Sequence, residues 1–309
     1  MKVLVTGGAG FIGHNAAIYL KNQGYDTFAL DNLKRATGFA VERLSMHHVP
    51  LVKGDILSLK ALRNVLDSVD VVVHAAAYIS VEESIKKPAL YFRNNVAGTA
   101  NIANACLRRG VKLIYISSAA VYGTPVHLPI NESHPANPIS PYGLAKLMGE
   151  EAVKFYARQG LKYAILRLFN VYGPGQSSAY AGVITRFIER LSVNKPPIIY
   201  GDGQQTRDFI HVYDVAEAIK LTMENNVENE TLNIAAGTPV TINELAEHVT
   251  KLAGLSLKPV FAKPRPGDIK HSHADTSKAR RLLGFTPKIS LEQGLKMLLK
   301  SGEKRRVQG

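Results

Sequence analysis

Residues 2 to 13 read KVLVTGGAGFIG, and they decide the fold. The run KVLVT is short, apolar and β-branched, which suits a strand, and Gly7 and Gly8 close it. Apolar side chains then recur at helical spacing through Ile12, Ala16, Tyr19 and Leu20, until Gly24 ends the helix. Between strand and helix stand Gly7, Gly10 and Gly13, spaced GxxGxxG. Glycines there let the backbone turn tightly and approach a pyrophosphate, which rests on the helix N-terminus. A second strand, Asp26 to Leu30, delivers Asp31, eighteen positions after Gly13. A carboxylate there accepts hydrogen bonds from both ribose hydroxyls and repels a 2′-phosphate, which favours NAD over NADP. Lys34 and Arg35 follow closely and leave NADP open. Asp55 and Ile56 suit an adenine contact.

The alternation of strand and helix continues downstream. A polar loop after Asp31 leads to a third strand near Val49 to Lys53 and a helix from Leu57 to Leu66. Val71 to Val73 form a fourth, fully apolar strand. His74 follows and reads as structural, beside Ala75, Ala76 and Ala77, whose small side chains let the chain pass close to a cofactor. A helix spans Ala89 to Arg109, with Asn94-Asn95 read as a helix opening and N-cap. The fifth and sixth strands are Leu113 to Ile116 and Tyr163 to Leu168. This order predicts an α/β fold, a doubly wound parallel sheet of the Rossmann type.

After residue 170 the rhythm breaks. Residues 171–206 are rich in Gly, Pro, Ser and Tyr around one helix, Val183 to Leu191. Helices at Val212 to Glu224, Ile242 to Ala253, Thr276 to Leu283 and Leu291 to Lys300 alternate with strands at Thr231 to Ile234 and Pro259 to Ala262. The expected division is a dinucleotide-binding domain over 1–169 with returns near 208–238. A smaller, interleaved substrate lobe would cover 170–207 and 239–309.

A second informative stretch runs from Lys112 to Lys146: KLIYISSAAVYG, a Pro-rich loop, then SPYGLAK. The fifth strand ends in a small-residue turn with Ser117 and Ser118, and a helix opens at Pro141 carrying Tyr142 and Lys146 four residues apart. Residues at i and i+4 share one helix face, so the Lys ammonium is expected beside the phenol, lowering its pKa. Tyr142 then serves as general base, with Ser118 hydrogen-bonded to the same substrate oxygen.

Composition narrows the class. The 309 residues, 46% hydrophobic and 20% charged, are ordinary for a globular protein with an ample core. The single cysteine, Cys106, forbids an intramolecular disulfide and points to a reducing compartment. The opening strand leaves no room for a signal peptide, and the longest apolar run is too short to span a bilayer, so a cytoplasmic protein is expected. The net charge of +13 comes from scattered residues without an RNA or DNA motif, so no nucleic-acid partner is assigned. The histidines form no ligand cluster, and no metal is assigned.

With GxxGxxG, Asp31, the strand-five serine and Tyr-x-x-x-Lys in this order, the chain resembles the extended short-chain dehydrogenase/reductases. Within them it resembles the NAD-dependent epimerase/dehydratase family acting on nucleotide sugars, most closely the UDP-glucose (UDP-galactose) 4-epimerases. The likeness runs from Lys2 to about Lys300 through TGGAGFIG, DNL, GDI, NNVAGT, SSAAVYG, SPYGLAK, RLFNVYGP, RDFIHVYD and KPRPGD. It implies Ser118, Tyr142 and Lys146 as catalytic residues. It implies NAD contacts from Phe11, Ile12, Asp31, Asn32, Leu33, Asp55, Ile56, Asn94, Tyr142, Lys146 and Phe169, with Lys146 on the nicotinamide ribose. Asn170, Val183, Tyr200, Arg207 and Arg265 would hold the nucleotide sugar, with Asp268 near the ribose. It also implies a homodimer built from the Ala89 and Tyr142 helices of each copy.

Within that family, dehydratases place an Asp-Glu pair after the strand-five hydroxyl residue, and decarboxylating members use a Glu there. Here Ala119 and Ala120 follow Ser118, and alanines move no protons. Members that epimerise C3 and C5 carry a Cys in the active-site turn, whereas Cys106 lies in a predicted helix and reads as a small buried hydrophobe. Epimerisation at C4 is left. Ser272 aligns with a pocket position that is Tyr in members restricted to unacetylated sugars, so 2-acetamido sugars are also candidates. Two other classes stay open. A plain NAD(P)-dependent reductase would give net NADH change, and a non-catalytic binding protein would tolerate loss of Tyr142 or Lys146.

Overall fold

The computed structural model describes residues 1–177, 182–264 and 269–307. Seven strands form one parallel sheet in the order β10-β6-β5-β4-β1-β2-β3. They are β1 (Lys2–Thr6), β2 (Asp26–Asp31), β3 (Leu51–Lys53), β4 (Val71–His74), β5 (Lys112–Ser118), β6 (Tyr163–Leu168) and β10 (Glu230–Ile234). Both faces are covered, which is why the strands read as continuous apolar runs. Side chains nevertheless divide with period two. Val3, Val5, Val71, Val73, Ile114 and Ile116 enter one core, and Leu4, Val72, Leu113 and Tyr115 enter the other. The first core is closed by the helices Phe11–Asn22 and Val212–Glu224, the second by Gly98–Arg109 and Pro141–Ala157.

The strand order reverses between β1 and β4, and in open parallel sheets the crevice at such a reversal is where ligands sit. Two small sheets lie beyond the main one. β7 (Asn170–Tyr172), β9 (Thr206–His211) and β11 (Pro239–Thr241) form the first, in the order β11-β9-β7; β8 (Ile198–Tyr200) pairs in parallel with β12 (Val260–Ala262). They share a core with the helices Val183–Ser192 and Ile242–Leu252 around Phe187, Phe209 and Leu245. No described helix is long and apolar enough to cross a membrane.

The structure corrects several expectations. The helix expected over Ala89 to Arg109 starts at Pro88 and is interrupted by a π-helical turn, Phe92–Ala97. Asn94 and Asn95 therefore sit inside that turn and cap nothing. A π turn re-aims side chains out of α register; the Asn95 amide bonds both the N–H and C=O of Tyr78, at 2.9 Å each. The polar loop after Asp31 contains a helix, Gly38–Met46, whose Thr37 cap accepts from the Ala40 N–H. It buries only Ala40 and Leu44, too little periodicity to register in the sequence. The region 171–206 holds β8 as well as its helix, and β7, β9 and β11 were not foreseen as strands. β7 and β11 have three residues each, too few to give a pattern, and β9 has six that carry polar Thr206, Arg207 and Asp208 among them.

Candidate active site

The glycine turn is built by close contact. Gly7 has φ +67° and lies so near the Ala75–Ala76 backbone that a Cβ would come within 2.6 Å of Ala76 Cα. A Cβ on Gly13 would collide with the Gly7 carbonyl oxygen. Gly13 thus acts by packing helix against turn, and Gly10 caps the helix Phe11–Asn22 without a side-chain bond, leaving first-turn N–H groups available. Asp31, at the end of β2, accepts from the Ala9 N–H at 3.0 Å and the Leu33 N–H at 2.8 Å, which fixes its carboxylate at the rim.

Around this turn lies a pocket at the ends of β1, β2 and β4. Of the expected cofactor residues, Gly7, Gly10, Asp31, Asn32, Ile56, Ala75, Ala76, Ala77 and Asn94 line it. Gly54, Arg35 and Tyr78 line it too and had not been expected. Phe11, Ile12 and Leu33 are adjacent in the chain but outside the lining. Asp55 faces a neighbouring cleft, where it accepts from Asn32 Nδ2 (3.0 Å) and Lys34 Nζ (3.3 Å). Phe169 is buried in a small cluster with Val121 and Tyr122. The two cations that left NADP open are both engaged: Lys34 with Asp55, and Arg35 with Glu83 at 2.7 Å. A narrow turn no side chain can fill, a fixed ribose-side carboxylate and engaged cations suit NAD.

His74 is fully buried between Thr6 and Thr99 hydroxyls, at 2.7 and 3.0 Å, and desolvation pulls its pKa down to about 3. Cys106 is buried as well, and burial pushes its thiol pKa up.

The catalytic set gathers at the ends of β5 and the helix Pro141–Ala157. Ser140 caps that helix, accepting from the Gly143 N–H at 3.1 Å, and Pro141 occupies its first turn. A Cβ on Gly143 would reach 2.5 Å from the Ala120 carbonyl oxygen, so only glycine lets the helix press on the turn after Ser118. This brings Tyr142 to Ser118. The phenol pKa is raised by burial and drawn back down by hydrogen bonding to Ser118. Lys146 departs from the expectation. Its ammonium donates to the Ile116 carbonyl at 2.7 Å and lies 5.0 Å from the Tyr115 ring centre, so Ser118, rather than Lys146, lowers the Tyr142 pKa. The cause is packing: Lys146 is 3% exposed, on the inner side of the helix. Desolvation pulls its own pKa to about 7, against an upward push from Glu150.

Glu150, one turn further, was missed in the sequence. It is wholly buried and accepts from Ser117 Oγ at 2.6 Å and from Arg167 Nη2 at 2.6 Å. An acid four residues past a lysine on a helix was a legible signal, but the partner on β6 was not.

A second cleft contains Asn170, Val183, Tyr200 and Arg207, four of the expected substrate residues, beside Gln176, Gln205 and Phe209. Asn170 donates to the Asp208 carbonyl at 3.1 Å, and Arg207 Nη1 donates to the Thr206 carbonyl at 2.8 Å. The Ser272 N–H donates to the same Thr206 carbonyl at 3.2 Å, which places Ser272 next to this cleft's wall. Arg265 and Asp268 lie outside the described residues. Strand pairing relates the three regions. β5 stands between β4, which leads into the cofactor pocket, and β6, which continues through Phe169 to Asn170 in the second cleft.

A profile of the NAD dependent epimerase/dehydratase family matches residues 3–235. A putative UDP-glucose 4-epimerase of Methanocaldococcus jannaschii is 40% identical over 302 residues, covering 96% of this chain and 97% of the relative. The crystal structure of Thermotoga maritima UDP-glucose 4-epimerase with UDP-glucose superposes with a TM-score of 0.94 at 37% identity, covering 99% of this chain and all of the other. A UDP-N-acetylglucosamine 4-epimerase of Methanobrevibacter ruminantium M1, in complex with UDP-N-acetylmuramic acid, gives a TM-score of 0.93 at 35% identity, with 98% of both chains covered.

Proposed function

The chain belongs to the NAD-dependent epimerase/dehydratase family, and on that premise we propose that it epimerises UDP-glucose and UDP-galactose at C4. The observation that carries this reading is the pair Ala119 and Ala120 after Ser118. The short helical turn they form lies against the catalytic helix with no acid or base to remove water or a carboxylate from the sugar. NAD, when bound, supplies a hydride acceptor that can also give the hydride back. Tyr142 accepts the proton of the sugar 4-hydroxyl as C4 is oxidised, and returns it when C4 is reduced. Ser118 hydrogen-bonds the same oxygen and favours the phenolate. Lys146, held at the Ile116 carbonyl and not beside the phenol, would hold the nicotinamide ribose, and Glu150 helps it keep its charge. Arg207, with Arg265 from the family pattern, holds the diphosphate; the guanidinium fork matches phosphate oxygens in pairs. Release and rebinding of the flat 4-keto sugar face within the wide second cleft allows reduction from either side.

Ser272 leaves volume at the wall of that cleft for a 2-acetamido group, so we extend the substrate class to UDP-GlcNAc and UDP-GalNAc. The test is incubation of the purified protein with UDP-galactose and UDP-GalNAc, without added cofactor, followed by separation of the nucleotide sugars. Conversion of UDP-galactose is expected, and conversion of neither would sink the reading. Ser272→Tyr should abolish turnover of the acetylated sugar and spare UDP-galactose; no conversion of UDP-GalNAc by wild type removes the extension, and equal turnover of both by the variant removes Ser272 from the choice.

We also propose a homodimer. Leu144, Met148 and Phe155 project from the helix Pro141–Ala157 at 40, 43 and 55% exposure, on the face turned away from its core. A second copy of this helix, together with Gly98–Arg109, would cover them. Light scattering should give a dimer that Met148→Glu converts to monomer; a monomeric wild type would refute it.

A further inference from the structure

The loop after β2 and the loop after β4 meet across the end of β1, the strand between them in the sheet. Arg35 makes the join. Its guanidinium lies 3.8 Å from the centre of the Tyr78 ring, and both residues line the cofactor pocket. The same guanidinium grips Glu83 with two nitrogens, Nη1 to Oε2 at 2.7 Å and Nη2 to Oε1 at 2.9 Å. The Nη2 contact is a charge-assisted hydrogen bond and the Nη1 contact a close ionic one, and together they hold more strongly than a single contact. Arg35 and Glu83 are each only about a quarter exposed, which limits screening by water.

Both ends of this join are anchored. Glu83 Oε2 also accepts from the Tyr91 hydroxyl at 3.0 Å, and Tyr91 is fully buried. Ser80 caps the helix Val81–Lys86 through the Glu83 N–H at 3.1 Å. Tyr78 is held on both backbone groups by Asn95, whose Oδ1 also accepts from Asn94 at 2.9 Å. Asn94 again lines the pocket. On the other side, Asp31 fixes the turn at Leu33 and Asn32 Oδ1 accepts from the Lys34 N–H at 3.1 Å. A continuous chain of contacts thus runs from one pocket wall, over the pocket, to the other.

We propose that Arg35, Tyr78 and Glu83 form a clasp that closes over the adenosine half of NAD and retains it between turnovers. An enzyme that reduces and reoxidises one cofactor within each cycle gains nothing from exchanging it, and loss of cofactor mid-cycle would strand a ketone. A dinucleotide can leave only when one of the two loops lifts, and lifting either breaks the Arg35–Glu83 pair. These are positioning residues that act on cofactor residence. The inference needs NAD as cofactor and is independent of which sugar is turned over.

The test measures NAD directly. Wild type, Arg35→Ala and Glu83→Gln are loaded with labelled NAD, passed through gel filtration, and chased with unlabelled NAD. Each variant should release label about tenfold faster or more, from the loss of a charge-assisted contact. Thermal unfolding of the NAD-free proteins should be the same for all three. Release at the wild-type rate from either variant overturns the clasp. Should a variant prove unstable when NAD-free, Arg35→Lys, which keeps the cation and loses the fork, is held to the same two outcomes.

Discussion

Tyr142→Phe is expected to lower kcat for UDP-galactose by about 10²- to 10⁴-fold, the range for removing a positioned general acid–base group. Phenylalanine keeps the ring, so the contact of the helix Pro141–Ala157 with the turn after Ser118 survives. That contact is set by Gly143 against Ala120 and by the Ser140 cap, neither of which the substitution touches. NAD content after purification should therefore match wild type, and the unfolding temperature should move little. The check is steady-state kinetics beside a cofactor assay. A loss of activity accompanied by loss of NAD would mean that Tyr142 builds the pocket and does no chemistry; a kcat within a few fold of wild type would remove it from the reaction.

The second large effect is on stability. Glu150→Ala should destabilise the fold by roughly 3–5 kcal/mol, the cost of stranding one member of a buried ion pair. Arg167 is 5% exposed and sends both Nε and Nη2 to the Glu150 carboxylate, while Ser117 donates a third hydrogen bond. Removing the acid leaves a desolvated guanidinium and an unpaired hydroxyl between β5, β6 and the catalytic helix. Glu150→Gln, which keeps an oxygen acceptor, should cost less. Denaturant unfolding of both variants measures this. The same substitution has a kinetic signature. Glu150 raises the Lys146 pKa, so its loss lets that pKa fall further below about 7. If protonated Lys146 supports the reaction, activity that declines as pH rises should decline at lower pH in Glu150→Gln. A pH profile of kcat/KM identical to wild type would disconnect Glu150 from Lys146.

How much of this could be read beforehand depended on the range of each signal. The parallel sheet was legible because β1, β4, β5 and β6 are buried on both faces and carry unbroken apolar runs. The cofactor turn was legible because three glycines, a strand and a helix lie within a dozen residues. Tyr142, Ser118 and Lys146 were legible as a motif, but spacing alone put the Lys146 ammonium beside the phenol. A side chain four residues on shares a face with Tyr142, yet its tip goes where burial and the Ile116 carbonyl take it. The π turn at Phe92–Ala97 could not be read, because a one-residue shift in hydrogen bonding has no compositional trace. The Glu150–Arg167 and Arg35–Glu83 pairs join residues from different elements. Each half was visible in the sequence and neither pairing was.

On the proposed function, one enzyme molecule oxidises C4 and puts the same hydride back. UDP-galactose deuterated at C4, incubated with the purified protein in ordinary water, tests it most directly. The expected product is UDP-glucose with the deuterium still at C4, undiminished, with no net NADH at any time. Loss of the label to solvent, or NADH accumulating in step with product, would contradict it.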